Sequence, residues 1–172
     1  MDDMMLLVEP VIPALRRYAR ALMKEQTAGD DLVQDCLERA VRHWHLRRKD
    51  GDARTWLFTI LHNLAINQLR QRSRRGRHVS VDEVEEGALA VAAPQETHLR
   101  HRDLTRALDS LPEEQRSVLL LVSVEDLSYA EAARVLDIPI GTVMSRLSRA
   151  REKLHRALES DRPPAPTLRR VK

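Results

Sequence analysis

Along most of this chain, apolar side chains recur three and four residues apart, the spacing that gathers them on one face of an α-helix. Between residues 5 and 25, Leu7, Val11, Leu15, Tyr18, Ala19 and Leu22 share a side. Pro10 and Pro13 fall near the start of that run, where a helix tolerates proline. Residues 27–30, TAGD, break the pattern, and Asp30 or Asp31 is placed to cap a second helix ending near Trp44. Its inner face is Leu32, Val33, Cys36, Leu37, Ala40 and Val41, and its outer face shows Asp31, Gln34, Asp35 and Glu38. The charged stretch LRRKDGDAR, residues 46–54, reads as a loop turning at Asp50 and Gly51. A third helix is predicted from about Ala53 to Arg72, with Trp56, Leu57, Ile60, Leu61, Leu64 and Leu69 inward.

Residues 73–96 lack a sustained apolar period and pass from basic to acidic to small side chains before Pro94, so they read as a linker. Helical spacing resumes over 97–109 with Leu99, Leu104, Ala107 and Leu108. Ser110 and Glu113 have capping-box spacing, which opens a helix through about Val124. Ser128 and Glu131 repeat the device before AARVLD. After the short turn DIPIG, residues 137–141, comes GTVMSRLSRAREKL. There Val143, Leu147, Ala150 and Leu154 lie on one face, while Thr142, Ser145, Arg146, Arg149 and Lys153 lie on another. The tail from Glu159, ESDRPPAPTLRRVK, is Pro-rich and reads as disordered.

Composition narrows the class. With 172 residues and 42% hydrophobic side chains there is material for one medium or two small cores. Only five residues are aromatic, so the cores are aliphatic, and scarce glycine with helical spacing favours an all-α protein. The net charge of +3 says little, but its distribution says more. Ten Arg or Lys face two acids between Arg42 and His78, five acids stand without a basic residue between Val79 and Thr97, and five basic residues face Glu152 between Gly141 and Leu158. Two basic blocks around an acidic spacer fit two contacts with a polyanion, and fit equally two solvated helix faces. One cysteine, Cys36, and scattered histidines predict no disulfide framework, no metal site and no cofactor. An acidic start and short apolar runs predict no signal peptide and no membrane insertion, hence a cytoplasmic protein.

The order from 128 to 154 is helix, short turn, longer helix, with Ala132, Ala133 and Leu136 at the crossing. That is helix-turn-helix logic, in which the second helix enters the major groove. Arg bonds guanine through two parallel hydrogen bonds, and short Thr and Ser let the backbone approach phosphates. An ordinary antiparallel helix pair with a basic outer face carries the same pattern.

Taken together, DDLVQDCLERAVRHW (30–44), TWLFTILHNLAINQLRQRSRR (55–75), LDSLPEEQRSVLLL and LSYAEAARVLDIPIGTVMSRLSRAREKL resemble the bacterial extracytoplasmic-function (ECF) RNA polymerase sigma factors. The likeness spans roughly residues 5–158. It implies region 2 over 5–75, a linker over 76–96, region 4 over 97–158 and a disordered tail over 159–172, so two small helical domains joined flexibly. It further implies a promoter-specificity subunit and not an enzyme. Its partners would be core RNA polymerase (β′ clamp helices and β flap), promoter DNA and an anti-sigma factor. By that resemblance Asp31, Gln34, Asp35 and Glu38 contact core polymerase, a role their acidic face suits. Arg54, Trp56, Asn63, Asn67, Arg70 and Arg74 serve −10 recognition and melting, with Arg72 and Arg75 also beside phosphates and the loop 47–54 helping to form a base pocket. Thr142, Ser145, Arg146, Arg149, Arg151 and Lys153 serve the −35 element. The chain also departs from its relatives. Trp56 is followed by Leu57, so the tryptophan pair of housekeeping sigma factors is incomplete, which implies weaker melting. Met144 stands where many relatives are basic. The start LVEPVIPALRRYARAL resembles the general-stress-response branch of alphaproteobacteria. Two other readings stay open on the residues alone: a simple helix-turn-helix regulator that ignores polymerase, and a sigma mimic that sequesters an anti-sigma factor.

Overall fold

The computed structural model describes residues 2–48, 51–75 and 95–160. Helices α1 (Asp2–Val8) and α2 (Ile12–Met23) flank a 3-10 turn, Glu9–Val11. Helix α3 (Gln26–His43) ends in a second 3-10 turn, Trp44–Leu46, and α4 (Ala53–Arg75) completes the first half. The second half contains α5 (Gln95–Asp109), α6 (Glu113–Leu119), a wider π-type turn over Leu120–Val124, α7 (Tyr129–Leu136) and α8 (Ile140–Ser160). Among the described residues there is no strand. The expected linker falls mostly at 76–94 and the tail mostly at 161–172, both outside the described residues, as is Asp50 of the expected turn.

In the first half α2, α3 and α4 pack on one another, and α1 lies against α4. Leu15, Leu22, Leu57 and Leu61 are fully buried, each stabilising the fold by ~1.5–3 kcal/mol relative to exposure. The single long helix expected over 5–25 is broken instead. Pro10 and Pro13 each enter at the start of a helical piece, so the chain turns before α2. That turn rotates the buried stripe: Met4 and Val8 are inside, while Leu7 is exposed. The break after α2 comes earlier than TAGD. Lys24 adopts the left-handed conformation, Glu25 is extended, and α3 begins at Gln26. Ala28 and Gly29 are therefore helical and buried at the α2–α3 crossing. A Cβ on Gly29 would sit 2.8 Å from Arg20 Cα, so glycine is what lets the two backbones approach. Beside it Arg20 clasps Asp30 with two hydrogen bonds of 2.9 and 2.8 Å, a pair that holds the Asp30 carboxyl below its ordinary range.

Helix α4 turns a different face inward than its apolar residues indicate. Leu57, Phe58, Leu61, His62 and Ala65 are buried, while Trp56, Ile60, Leu64 and Leu69 are only half covered. Asp52 caps this helix by accepting from the Thr55 N–H at 2.9 Å and the Thr55 hydroxyl at 2.7 Å.

In the second half α8 packs against α5, α6 and α7 through Val143, Leu147 and Ala150, all buried. The capping box at Ser128 forms as expected: its Oγ accepts from Glu131 N–H, and Glu131 accepts from Ser128 N–H at 2.7 Å. The one expected at Ser110 does not. Pro112 stands at the N-cap of α6, and Ser110 Oγ donates to the Ala107 carbonyl instead. Tyr129 is exposed and does not pack inside the helix-turn-helix.

The two halves share one continuous apolar core. Helix α4 lies against α7, and α2 meets both α6 and the Leu120–Val124 turn. At this junction Arg17 makes two hydrogen bonds to Glu125, 3.1 Å from Nε and 2.7 Å from Nη2. Glu125 is 1% exposed. Arg54 donates to the Glu125 backbone carbonyl, and Lys24 Nζ donates to the Asp109 carbonyl at 2.6 Å. Tyr18 is fully buried, with His62 Nδ1 2.9 Å from its hydroxyl.

Candidate nucleic-acid and polymerase interfaces

Three separate surfaces carry the residues singled out from the sequence. The first is the outer face of α3. Asp31, Gln34, Asp35 and Glu38 fall three and four apart and are all exposed. Gln34 Nε2 donates to Glu38 at 3.4 Å, and Glu38 also faces Arg42 at 3.8 Å. Between this face and α2 runs a shallow groove of about 800 Å³. Leu37 and the 56%-exposed Val41 form its apolar floor, with Arg16 and Arg20 along the opposite wall. The sequence put Val41 in the core and passed over Arg16 and Arg20. Their role in a groove depends on the α2–α3 crossing, which periodicity does not set.

The second surface is α4 with the loop before it. Asn63 and Asn67 are exposed one turn apart, and Arg70 and Arg74 continue exposed toward the end of the helix. Arg72 reaches back to Glu25 at 3.3 Å. Arg54 does not share this open face. Its side chain is half-buried, engaged with the Glu125 carbonyl, and lies 5.8 Å above the Phe58 ring. Trp56 is neither a free wedge nor fully core. It packs edge-on against Trp44, with centroids 5.8 Å apart at 70°, and Arg47 lies 4.6 Å above the Trp44 ring. Arg47 also donates to the Gly51 carbonyl at 2.7 Å, fastening the loop. Trp44 and Trp56 thus form an aromatic contact between two elements. Its signal was hidden because Trp44 and Trp56 are twelve positions apart.

The third surface is the outer side of α8. Ser145, Arg149, Arg151 and Lys153 are exposed, while Thr142 and Arg146 are partly covered. Arg146 pairs with Glu114 at 3.2 Å, and Ser145 Oγ donates to the Thr142 carbonyl at 3.1 Å. Met144 projects on this side, 48% exposed. The face is a row of short hydroxyls and long cations on a helix anchored from behind, a shape that fits a major groove.

The buried ionisable groups lie behind these surfaces. Burial pushes the His62 imidazole down to about 4 and the Cys36 thiol up to about 12. Cys36 is a core filler whose Sγ contacts the Leu57 carbonyl at 3.5 Å. Among the described residues no group of three His, Cys, Asp or Glu is placed to hold a metal, and no helix is long and apolar enough to cross a membrane.

Comparison with known proteins matches two separate segments of the chain. Residues 8–62 match the family model for the Sigma2 domain of PhyR, and residues 101–154 match that for Sigma-70, region 4. The ECF RNA polymerase sigma factor EcfG of Rhodopseudomonas palustris is 36% identical over 87% of this chain and 82% of its own length. Among solved structures, sigma factor RpoE in complex with the anti-sigma factor NepR from Bartonella quintana is similar at a TM-score of 0.80 and 33% identity. That likeness covers 94% of this chain and all of that one. CnrH in complex with the cytosolic domain of CnrY is similar at a TM-score of 0.70 and 27% identity, over 92% and 89% of the two chains. Two region matches in the expected order, and a relative at this identity over most of its length, show that the chain belongs to the ECF RNA polymerase sigma factors.

Proposed function

We propose that this chain directs core RNA polymerase to a class of promoters, with residues 5–75 acting as region 2 and 97–158 as region 4. What carries the reading is the segregation of charge. An acidic and polar face on α3 stands apart from the Asn and Arg face of α4 and the cationic face of α8. A protein surface of basic character favours the first, and nucleic acid favours the other two. Asp31, Gln34, Asp35 and Glu38 contact polymerase. Asn63 and Asn67 offer both donor and acceptor to unstacked bases of the −10 strand, and Arg70 and Arg74 follow its phosphates. Arg54 and Trp56 complete that site. Thr142, Ser145, Arg146 and Arg149 read the −35 duplex, with Arg151 and Lys153 beside phosphates. The groove between α2 and α3 suits a helix with an apolar stripe and mixed-charge flanks. The complexes of RpoE with NepR and of CnrH with CnrY support control of this chain by an anti-sigma factor.

Run-off transcription with core polymerase on a promoter library tests the reading. Specific transcripts sharing one −35 and −10 pair are the expected outcome. Duplex binding without polymerase binding would replace it with a simple helix-turn-helix regulator. Polymerase binding without initiation would replace it with a mimic.

A further inference from the structure

The sigma-factor reading has a geometric requirement that the closed chain does not meet. Elements at −35 and −10 lie roughly 25 base pairs apart, ~85 Å of duplex at ~3.4 Å per pair. A compact chain of this length has a radius of gyration of ~16 Å and is ~40 Å across. The α4 and α8 surfaces therefore engage both elements only after the halves separate. What holds them together is specific. Glu125 is a fully buried carboxylate whose two oxygens are both taken by Arg17, across the junction from it. The same residue's carbonyl accepts from Arg54, a residue assigned above to the −10 site. Lys24 closes a third point at Asp109.

We infer that Glu125 is a self-inhibitory latch: it holds the two halves closed through Arg17 and withdraws Arg54 from the −10 site, so that promoter DNA and the latch compete for Arg54. The inference rests on the sigma-factor reading for its consequence in transcription but not for the closed state itself. A buried carboxylate that loses its cation is left without compensation, so Arg17 governs the closed state although its own side chain is partly exposed. Arg54 differs from Arg17 in that the open state has a use for it.

The test is a single-molecule energy-transfer measurement on the free full-length chain carrying Arg39→Cys and His155→Cys for dye attachment. Cys36 is buried and its thiol is pushed up to about 12, so it stays unlabelled. A predominantly high-transfer population is expected for the unaltered junction. Arg17→Glu should raise the low-transfer fraction at least fivefold while far-ultraviolet dichroism keeps the helical content. In the absence of any inhibitor it should also raise transcription by the reconstituted holoenzyme. Arg54→Ala should open the chain comparably without raising transcription, because the −10 site loses the residue. High transfer unchanged in a well-folded Arg17→Glu chain would overturn the latch, and so would equal transcription from the two open variants. Failure of the unaltered chain to bind core polymerase would instead overturn the sigma-factor reading and leave the free-chain measurement standing.

Discussion

His62 makes this fold sensitive to mild acid, and the size of the effect follows from its surroundings. The ring is 7% exposed, is packed near Tyr18 with centroids 6.4 Å apart, and meets the Tyr18 hydroxyl at 2.9 Å. With the proton on Nε2, Nδ1 accepts from that hydroxyl. Protonating the ring charges a desolvated site, which pushes its pKa down to about 4 from an ordinary 6.5. Below pH 6.5 the unfolded chain takes up a proton that the folded chain refuses until about pH 4. Stability is therefore full above 6.5 and falls as the pH drops through that window, by about 1.4 kcal/mol per unit. Moving from pH 7.5 to 5.0 crosses about 1.5 units of it, a loss of ~2 kcal/mol, or roughly 4–8 °C in Tm for a chain of this size. Asp30 and Asp52 are held below their ordinary range, so they titrate outside this interval. Urea unfolding at the two pH values measures the loss directly. His62→Gln keeps a polar partner for Tyr18 but cannot titrate, so it should remove most of the acid sensitivity. If the glutamine variant loses stability as steeply as the parent, or if the His62 ring titrates near 6.5 by NMR in the folded protein, the reasoning fails.

Three other expectations follow from the geometry. Ser128→Ala removes the hydroxyl that caps α7 and should cost about 1 kcal/mol, read as a small fall in the urea midpoint with helix content unchanged. Gly29→Val forces a branched side chain against the Arg20 backbone and should destabilise by ~1–3 kcal/mol while weakening polymerase binding through the adjoining α3 face. Asn63→Ala should lower transcription by ~10-fold on duplex promoters and lose its dependence on the −10 sequence, whereas Arg149→Ala should lose dependence on the −35 sequence, both scored by run-off transcription across single-base promoter variants.

Much of the helical order was legible because apolar spacing is a local property. Val143, Leu147 and Ala150 were placed inward and are buried. The exposed face of α3 was likewise read correctly from Asp31 to Glu38. What sequence could not show depends on partners far along the chain. His62 has no apolar character to betray it, and it is buried only because Tyr18 supplies its hydrogen bond. That substitution of a polar for an apolar inner residue is also why the inner face of α4 was misjudged by part of a turn. Glu125 has no neighbour in the sequence that marks it as buried. It is buried because Arg17, 108 positions earlier, meets it. The cap at Ser110 failed because Pro112 sets the entry to α6 and leaves the serine to bond backward to Ala107.

The contact between Trp44 and Trp56 has an optical consequence. These are the chain's only two tryptophans, and they touch each other beside the loop that Arg47 fastens. Emission excited selectively in tryptophan therefore arises entirely from one spot next to α4, with Tyr18 and Tyr129 silent. A guanidinium lies over one ring, and both rings are half-exposed, so a base inserted there would change intensity and wavelength without any dye. The unmodified protein thus carries its own label beside the face proposed to take the −10 strand. Stopped-flow mixing with promoter DNA can time the arrival of the separated strand independently of the transcript.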